Sequence, residues 1–186
     1  MIAERTVTTI DELMHELNKL PNHYAFRGQA DAEWGLQSTL ERVIGSRWSA
    51  EAARRFETYS IDTFKSKYHI YSGVEHIPKS KLSWLSVMQH YGVPTRLIDF
   101  TTSPYIALYF ALETYNPLSQ KDFSIFAIDY TAIMEASIQH IRKADNRFQE
   151  TRASFQSKQD VVFDEVVDRY SYDCSGLIKI DSPIGC

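Results

Sequence analysis

Cysteine is nearly absent from this chain, with two among 186 residues, Cys174 and Cys186. Two thiols without a CxxC pair give neither a disulfide framework nor a zinc site, and a reducing compartment suits them. Glycine is also sparse. Its seven residues are scattered, none completes a GxxxxGK[ST] phosphate loop, and no GxSxG nucleophile turn occurs. His15, His23, His69, His76 and His140 fall in no HxxxH or HExxH spacing, so no metal is expected. Long apolar runs are missing, which leaves nothing to cross a bilayer. The first twenty residues carry Glu4, Arg5, Asp11 and Glu12 and lack the apolar stretch of a signal peptide. These absences make a cytoplasmic protein with no membrane partner the expectation. Charge of one sign is lacking as well: the formal net charge is -4, which leaves out a strongly basic face but not a local basic patch.

The chain has the composition of a globular protein, 44% hydrophobic and 24% charged. Its length fits a single domain over residues 1–186. Thr9-Ile10-Asp11-Glu12 reads as a capping box opening a helix to about Leu20, with Ile10, Leu13, Met14, Leu17 and Leu20 on one face. Pro21 ends it, and an extended run from His23 to Phe26 leads to Arg27-Gly28. A second helix is expected from Ser49 to about Tyr68, with Ala52, Phe56, Tyr59 and Thr63 on its inner face and Arg54, Arg55 and Glu57 on its wet face. A third is expected from Lys81 to Tyr91, stopped by Gly92 and Pro94. Thr95 to Phe100 reads as a short strand. Ser103-Pro104 then opens a helix from Tyr105 to about Thr114, apolar nearly all round and expected to be central and buried. A strand from Phe123 to Tyr130, a helix from Thr131 to Ile141, and strands at Asp160–Asp168 and Gly176–Asp181 follow. Helices come first and strands last, which predicts an α+β fold.

Two stretches place polar groups at the ends of elements, where scaffolds carry function. In Tyr24-Ala25-Phe26-Arg27-Gly28-Gln29, an Arg at a strand end can reach a ligand while the Gly admits it to the backbone. A surface ion pair and a turn would explain the same residues. The second stretch, His90 to Pro104, gathers His90, Tyr91, Arg96, Asp99, Thr101, Thr102 and Ser103 around one short strand and two helix ends. Entry into a helix there leaves N–H groups that favour an anion, and Arg96 and Asp99 are spaced to pair or to orient a bound group. An N-cap and a structural salt bridge would account for it equally. Asp164-Glu165 offers a further carboxylate.

Together these residues resemble the FRG family, named for its Phe/Tyr-Arg-Gly motif. Its FRGQ element stands here as Phe26-Arg27-Gly28-Gln29. Its HYGxPTRLLD[WF]TxSPxxALYFA element stands as His90-Tyr91-Gly92-Val93-Pro94-Thr95-Arg96-Leu97-Ile98-Asp99-Phe100-Thr101-Thr102-Ser103-Pro104, continued by Ala107-Leu108-Tyr109-Phe110-Ala111. Trp34, Leu36 and Arg42 match a weaker trailing pattern, and the likeness covers roughly residues 9 to 181. The chain departs from the family at Gln159-Asp160-Val161-Val162-Phe163, where Val161 replaces the Gly of a QxGxF element. It also ends before the family's final helical segment, as a minimal or a truncated form would.

A looser likeness is to mono-ADP-ribosyltransferases of the Arg–Ser–Glu type. Phe26-Arg27-Gly28 is similar to their aromatic-Arg-Gly strand end, and Thr101-Thr102-Ser103, leading into Ala107 and Phe110-Ala111, to their Ser-Thr-Ser element. Glu165 or Gln159 would stand where they carry Glu. The resemblance implies N-terminal helices packed on a small, mostly antiparallel sheet, with NAD as substrate. It implies catalytic roles for Arg27, Thr101, Ser103 and Glu165, and NAD contacts from Arg27, Gly28, His90, Tyr91, Arg96, Asp99, Thr102, Tyr109 and Gln159. The acceptor would be a macromolecule (RNA, DNA or protein). A bacterial toxin or antiphage role would bring a neutralising antitoxin. The alternatives are a non-catalytic module that binds a nucleotide or a partner, and an RNA-cleaving toxin that uses His90 with Arg96.

Overall fold

Serine and threonine hydroxyls start five of the described helices. The structure, a computed structural model, describes residues 4–70, 77–116, 118, 121–144, 146, 148–149, 163–164 and 168. Thr9 caps α1 (Ile10–Asn18), its hydroxyl accepting from the Glu12 N–H at 3.2 Å. The Glu12 carboxylate takes the Thr8 N–H at 3.3 Å instead of that of Thr9, so the expected box is shifted by one residue. Ser38, Ser49, Ser80 and Ser103 cap α2 (Thr39–Ile44), α3 (Ala50–Lys67), α4 (Lys81–His90) and α5 (Pro104–Glu113). Each satisfies an N–H that the first helical turn leaves without a partner. Gly92, at φ +75°, lets the chain turn away after α4.

The chain divides into two compact units, Met1–Gly35 with Asp99–Ala132, and Leu36–Ile98 with Ile133–Cys186. In the first, β1 (Tyr24–Gln29) pairs antiparallel with β2 (Ser124–Asp129), in a register running from Tyr24 opposite Asp129 to Gln29 opposite Ser124. Among the described residues this sheet has two strands. On its other edge β1 makes a single antiparallel bridge, Phe26 to Thr101, with N–H to carbonyl distances of 2.7 and 2.8 Å. Leu17 of α1, Phe26 of β1 and Ala107 of α5 form the core, flanked by Leu13, Met14, Leu20, Tyr24 and Ile125. α6 (Tyr130–Ala144) begins at Asp129, whose carboxylate accepts from the N–H groups of Ala132 and Thr131. The Ala132 bond, then the Thr131 hydroxyl, hold the Asp129 carboxyl below the usual carboxylate range.

In the second unit, Ile61 of α3, Leu82, Leu85 and Met88 of α4, and Met134, Ile138 and Ile141 of α6 form the main core with Phe148 and Phe163. Leu40 of α2 packs on Ala53 in a smaller cluster. The architecture is α+β, with N-terminal helices and a small open antiparallel sheet.

Four expectations need correction. The inner face of α3 is Ala53, Glu57 and Ile61, spaced four apart, and Tyr59 is 71% exposed. Glu57, expected on the wet face, is fully buried because two cations neutralise it there. Residues 95–100 form no strand. Their polar groups go elsewhere: the Thr95 carbonyl accepts the Leu40 N–H at 3.0 Å, and the Thr95 hydroxyl donates to Gln89 Oε1 at 2.6 Å. Helix α5 buries only Ala107 and Ala111 fully, while Tyr105, Ile106, Tyr109 and Phe110 are exposed, because its contact with β1 is a narrow backbone-to-backbone one. In the expected strand at 160–168, the described residues Phe163, Asp164 and Asp168 are helical, a spacing that brings both aspartates to Lys81. The rest of that run and the strand expected at 176–181 lie outside the described residues.

Candidate functional site

Pairing of β1 with Thr101 brings the two sequence stretches together in the first unit. Arg27 lies next to the bridged Phe26, and its Nη1 donates to the Asp99 carbonyl at 2.9 Å. The guanidinium is thereby held against the segment that carries the hydroxyls. The Thr101 hydroxyl accepts from the Ser103 N–H at 3.1 Å, and the Ser103 hydroxyl from the Ile106 N–H at 3.5 Å. Each bond uses one oxygen lone pair, and the O–H of each remains a donor. Thr102 between them is exposed.

Gly28 has a steric reason to be Gly. A Cβ built there would lie 1.8 Å from the Ala107 carbonyl oxygen and 2.7 Å from the Ala111 nitrogen. The backbone that closes on Gly28 is that of α5, and two alanines four residues apart give β1 room to lie against the helix. Gln29, the last residue of the FRGQ element, is 6% exposed; its Nε2 donates to the Gly35 carbonyl at 3.4 Å, and its Oε1 has no hydrogen-bond partner among the described residues. Asp31 is also buried and takes Lys121 at 2.6 Å and the Glu33 N–H at 3.0 Å. The Lys121 hydrogen bond is the first cause that lowers its pKa. Tyr109, on the exposed side of α5, donates its hydroxyl to Glu113 at 3.1 Å, which raises its pKa.

The remaining candidates belong to the second unit. His90 is exposed at the end of α4, edge-on to Tyr91 with ring centroids 5.5 Å apart. Tyr91 packs on Phe64 at 5.8 Å. Arg96, only 10% exposed in its side chain, is bound to Glu57 at 2.7 Å and to Asp168. Lys81 joins the same network, 3.2 Å from Glu57 and 2.8 Å from Asp168. Burial acts to raise the pKa of Asp168, but hydrogen bonds from Lys81 and Arg96 outweigh it and hold the carboxyl below its ordinary value. Glu57 was missed as an organising residue. Its signal was its place one helical turn from Ala53 and Ile61. Glu165 and Gln159 lie outside the described residues.

Two surface cavities lie along α3, of about 410 and 340 Å³. None of the motif residues lines either. Among the described residues no group of His, Cys, Asp and Glu is placed to hold a metal ion, and no helix is long and apolar enough to cross a membrane.

The paired elements are those of a known family. Residues 22–120, more than half of the chain, match the model of the FRG domain, and the chain belongs to that family. No curated protein and no solved structure matches it.

Proposed function

We propose that the protein transfers ADP-ribose from NAD to a macromolecule, with Arg27, Thr101 and Ser103 as the described part of the site. One observation carries this reading: the Arg27 strand end and the hydroxyl segment are neighbours, joined by the Phe26–Thr101 bridge and the Arg27–Asp99 bond. A guanidinium suits the pyrophosphate of NAD, and two O–H donors suit a ribose. Transfer breaks the bond between ribose C1′ and nicotinamide, which leaves with the bonding electrons. A nucleophilic oxygen or nitrogen of the acceptor bonds to C1′ and gives up its proton to a carboxylate. A carboxylate bonded to the ribose 2′-OH stabilises the positive charge that develops on the ribose, without reorganising. Holding sugar and pyrophosphate in one pose lowers the barrier further. The carboxylate assigned by resemblance is Glu165, with Gln159 as the other candidate position. An acceptor that is an essential macromolecule would suit a toxin or antiphage factor and would call for an antitoxin.

The test is incubation of the protein with labelled NAD, cell lysate, RNA and DNA. Label should pass to one acceptor class, and Arg27→Ala should reduce transfer by at least 100-fold, about the loss that misplacing the substrate brings. No transfer together with no NAD binding would overturn the reading.

A second reading, a non-catalytic binding module, is favoured by the structural work these residues already do. Gly28 admits α5, and both hydroxyls serve as local caps. Binding of a nucleotide without turnover would select it.

A further inference from the structure

The outer face of α3 concentrates positive charge on a chain whose net charge is -4. Between Arg47 and Lys81 there are seven basic residues and four acidic ones, and Glu57 and Lys81 pair with each other inside the unit, which leaves six and three. Arg54, Arg55, Thr58, Tyr59, Asp62 and Lys65 are all exposed. Their spacing by three, four and seven residues puts them on adjoining rows of one helical face.

The two cavities lie on this face. Arg54, Arg55 and Tyr59 line one; Lys65, Lys79, Lys81, Trp84 and Asp164, whose carboxylate accepts the Lys81 N–H, line the other with Ile61 and Ser80; Thr58 and Asp62 line both. They therefore form one shallow groove, in which α3 alone covers about 16 Å from Arg54 to Lys65 at 1.5 Å per residue. The groove offers cations near both ends, with the exposed phenol ring of Tyr59 between them. Lys65 sits over the Trp84 ring, 5.3 Å from its centroid, so its ammonium is held at the groove and not swept through solvent.

We infer that this groove binds single-stranded nucleic acid. The ligand that fits is a polymer carrying one negative charge and one flat ring in every unit. Arg55, Lys65 and Lys79 meet phosphates, Tyr59 stacks a base, and the Asp62 carboxylate accepts from an exocyclic amine. A duplex keeps its bases stacked on each other and offers Tyr59 nothing. A phosphorylated peptide supplies the charge but not a ring at each step. None of the residues assigned to ADP-ribosyl transfer lines the groove, and the inference holds whether or not that reaction occurs.

The test uses the full chain without NAD and a fluorescein-labelled single strand of about 12 nucleotides, as RNA and as DNA, followed by fluorescence anisotropy. Saturable binding is expected, tighter than for the matching duplex and weakening as salt rises. Arg55→Glu and Lys65→Glu should each weaken it by at least 10-fold and flatten the salt dependence. Tyr59→Ala should weaken it about 10-fold with the salt dependence unchanged. Lys79→Glu, which lies off α3, gives the same electrostatic reading should a helix variant melt early. Lys19→Glu, an exposed basic residue of the first unit, should bind as the unaltered protein does. No saturable binding, equal affinity for duplex, unchanged affinity in the groove variants, an equal loss in Lys19→Glu, or capture of a phosphopeptide in place of the single strand would each overturn the inference.

Discussion

Gly28 shows how one missing methyl group sets the packing of the first unit. A Cβ there would lie 1.8 Å from the nearest atom, the carbonyl oxygen of a helix residue, which cannot swing aside as a side chain would. Gly28→Ala must push β1 off α5, loosening Phe26 and Ala107 together. The expected cost is at least about 3 kcal/mol, the upper end of overpacking penalties. It is read as a shift in the urea midpoint of unfolding. Gly35→Ala serves as the comparison: nothing lies within 4 Å of its added Cβ, and a change within about 0.5 kcal/mol is expected. If both variants melt alike, the close approach of β1 and α5 is wrong. The same geometry explains why the family motif couples an Arg to a Gly. Arg27 is held toward the Asp99–Ser103 segment because its neighbour lets the helix behind it come close.

At the scale of elements, Glu57 and Arg96 tie α3 to the segment after α4. Both are buried in a network that also holds Lys81 and Asp168, two cations and two anions in all. Removing one member strands its partner: Glu57→Met should cost about 3–5 kcal/mol, and Arg96→Met a similar amount. The double variant should cost less than either single one, since Lys81 and Asp168 still neutralise each other. A double variant as costly as the sum of the singles would show that the two side chains do not act as a pair. The pH dependence follows with a definite sign. The folded-state pKa of Asp168 is below its ordinary 3.8, so its contribution is present above about pH 4 and is lost as pH falls through the folded value. Urea midpoints measured from pH 7 to pH 3 should fall at the acid end, and Asp168→Asn should flatten that fall. The sequence made the helix starts legible, because a hydroxyl cap is a local signal that the structure uses at Thr9, Ser49, Ser80 and Ser103. Ser38, with Glu41 three residues on, carries the same signal and opens the short helix α2, which the apolar spacing alone does not mark. Burial was less legible. Nothing near Glu57 in sequence announces Arg96 or Lys81, and nothing in residues 95–100 reveals that the polar groups of Thr95 bind the Leu40 N–H and the Gln89 side chain in place of a ladder. Meeting of the Arg27 end with Thr101 was legible only through the family motif, since a single bridge leaves no strand pattern to read.

At the scale of the whole chain, the family match and the folded units have different boundaries. The match covers residues 22–120, whereas the six-residue ladder partner of β1 is β2, at Ser124–Asp129. Leu17, which packs on Phe26 and Ala107, precedes the match. Met134, Ile138 and Ile141, which complete the core around Leu82, Leu85 and Met88, follow it. A fragment limited to residues 22–120 would therefore lose one side of its sheet and part of the apolar contacts in both units. The Leu, Met and Ile side chains removed are each worth about 1.5–3 kcal/mol when buried, and four of them are comparable to the entire stability of a domain this small. The fragment should show no cooperative thermal transition by circular dichroism, while a chain restored to residues 9–186, which brings back Phe163 and Asp168 as well, should recover one. Cooperative melting of the shorter fragment would mean that β1 needs only its Thr101 bridge and α5. In that case the pairing with β2 would be an accessory to the motif and not the support on which Arg27 is held.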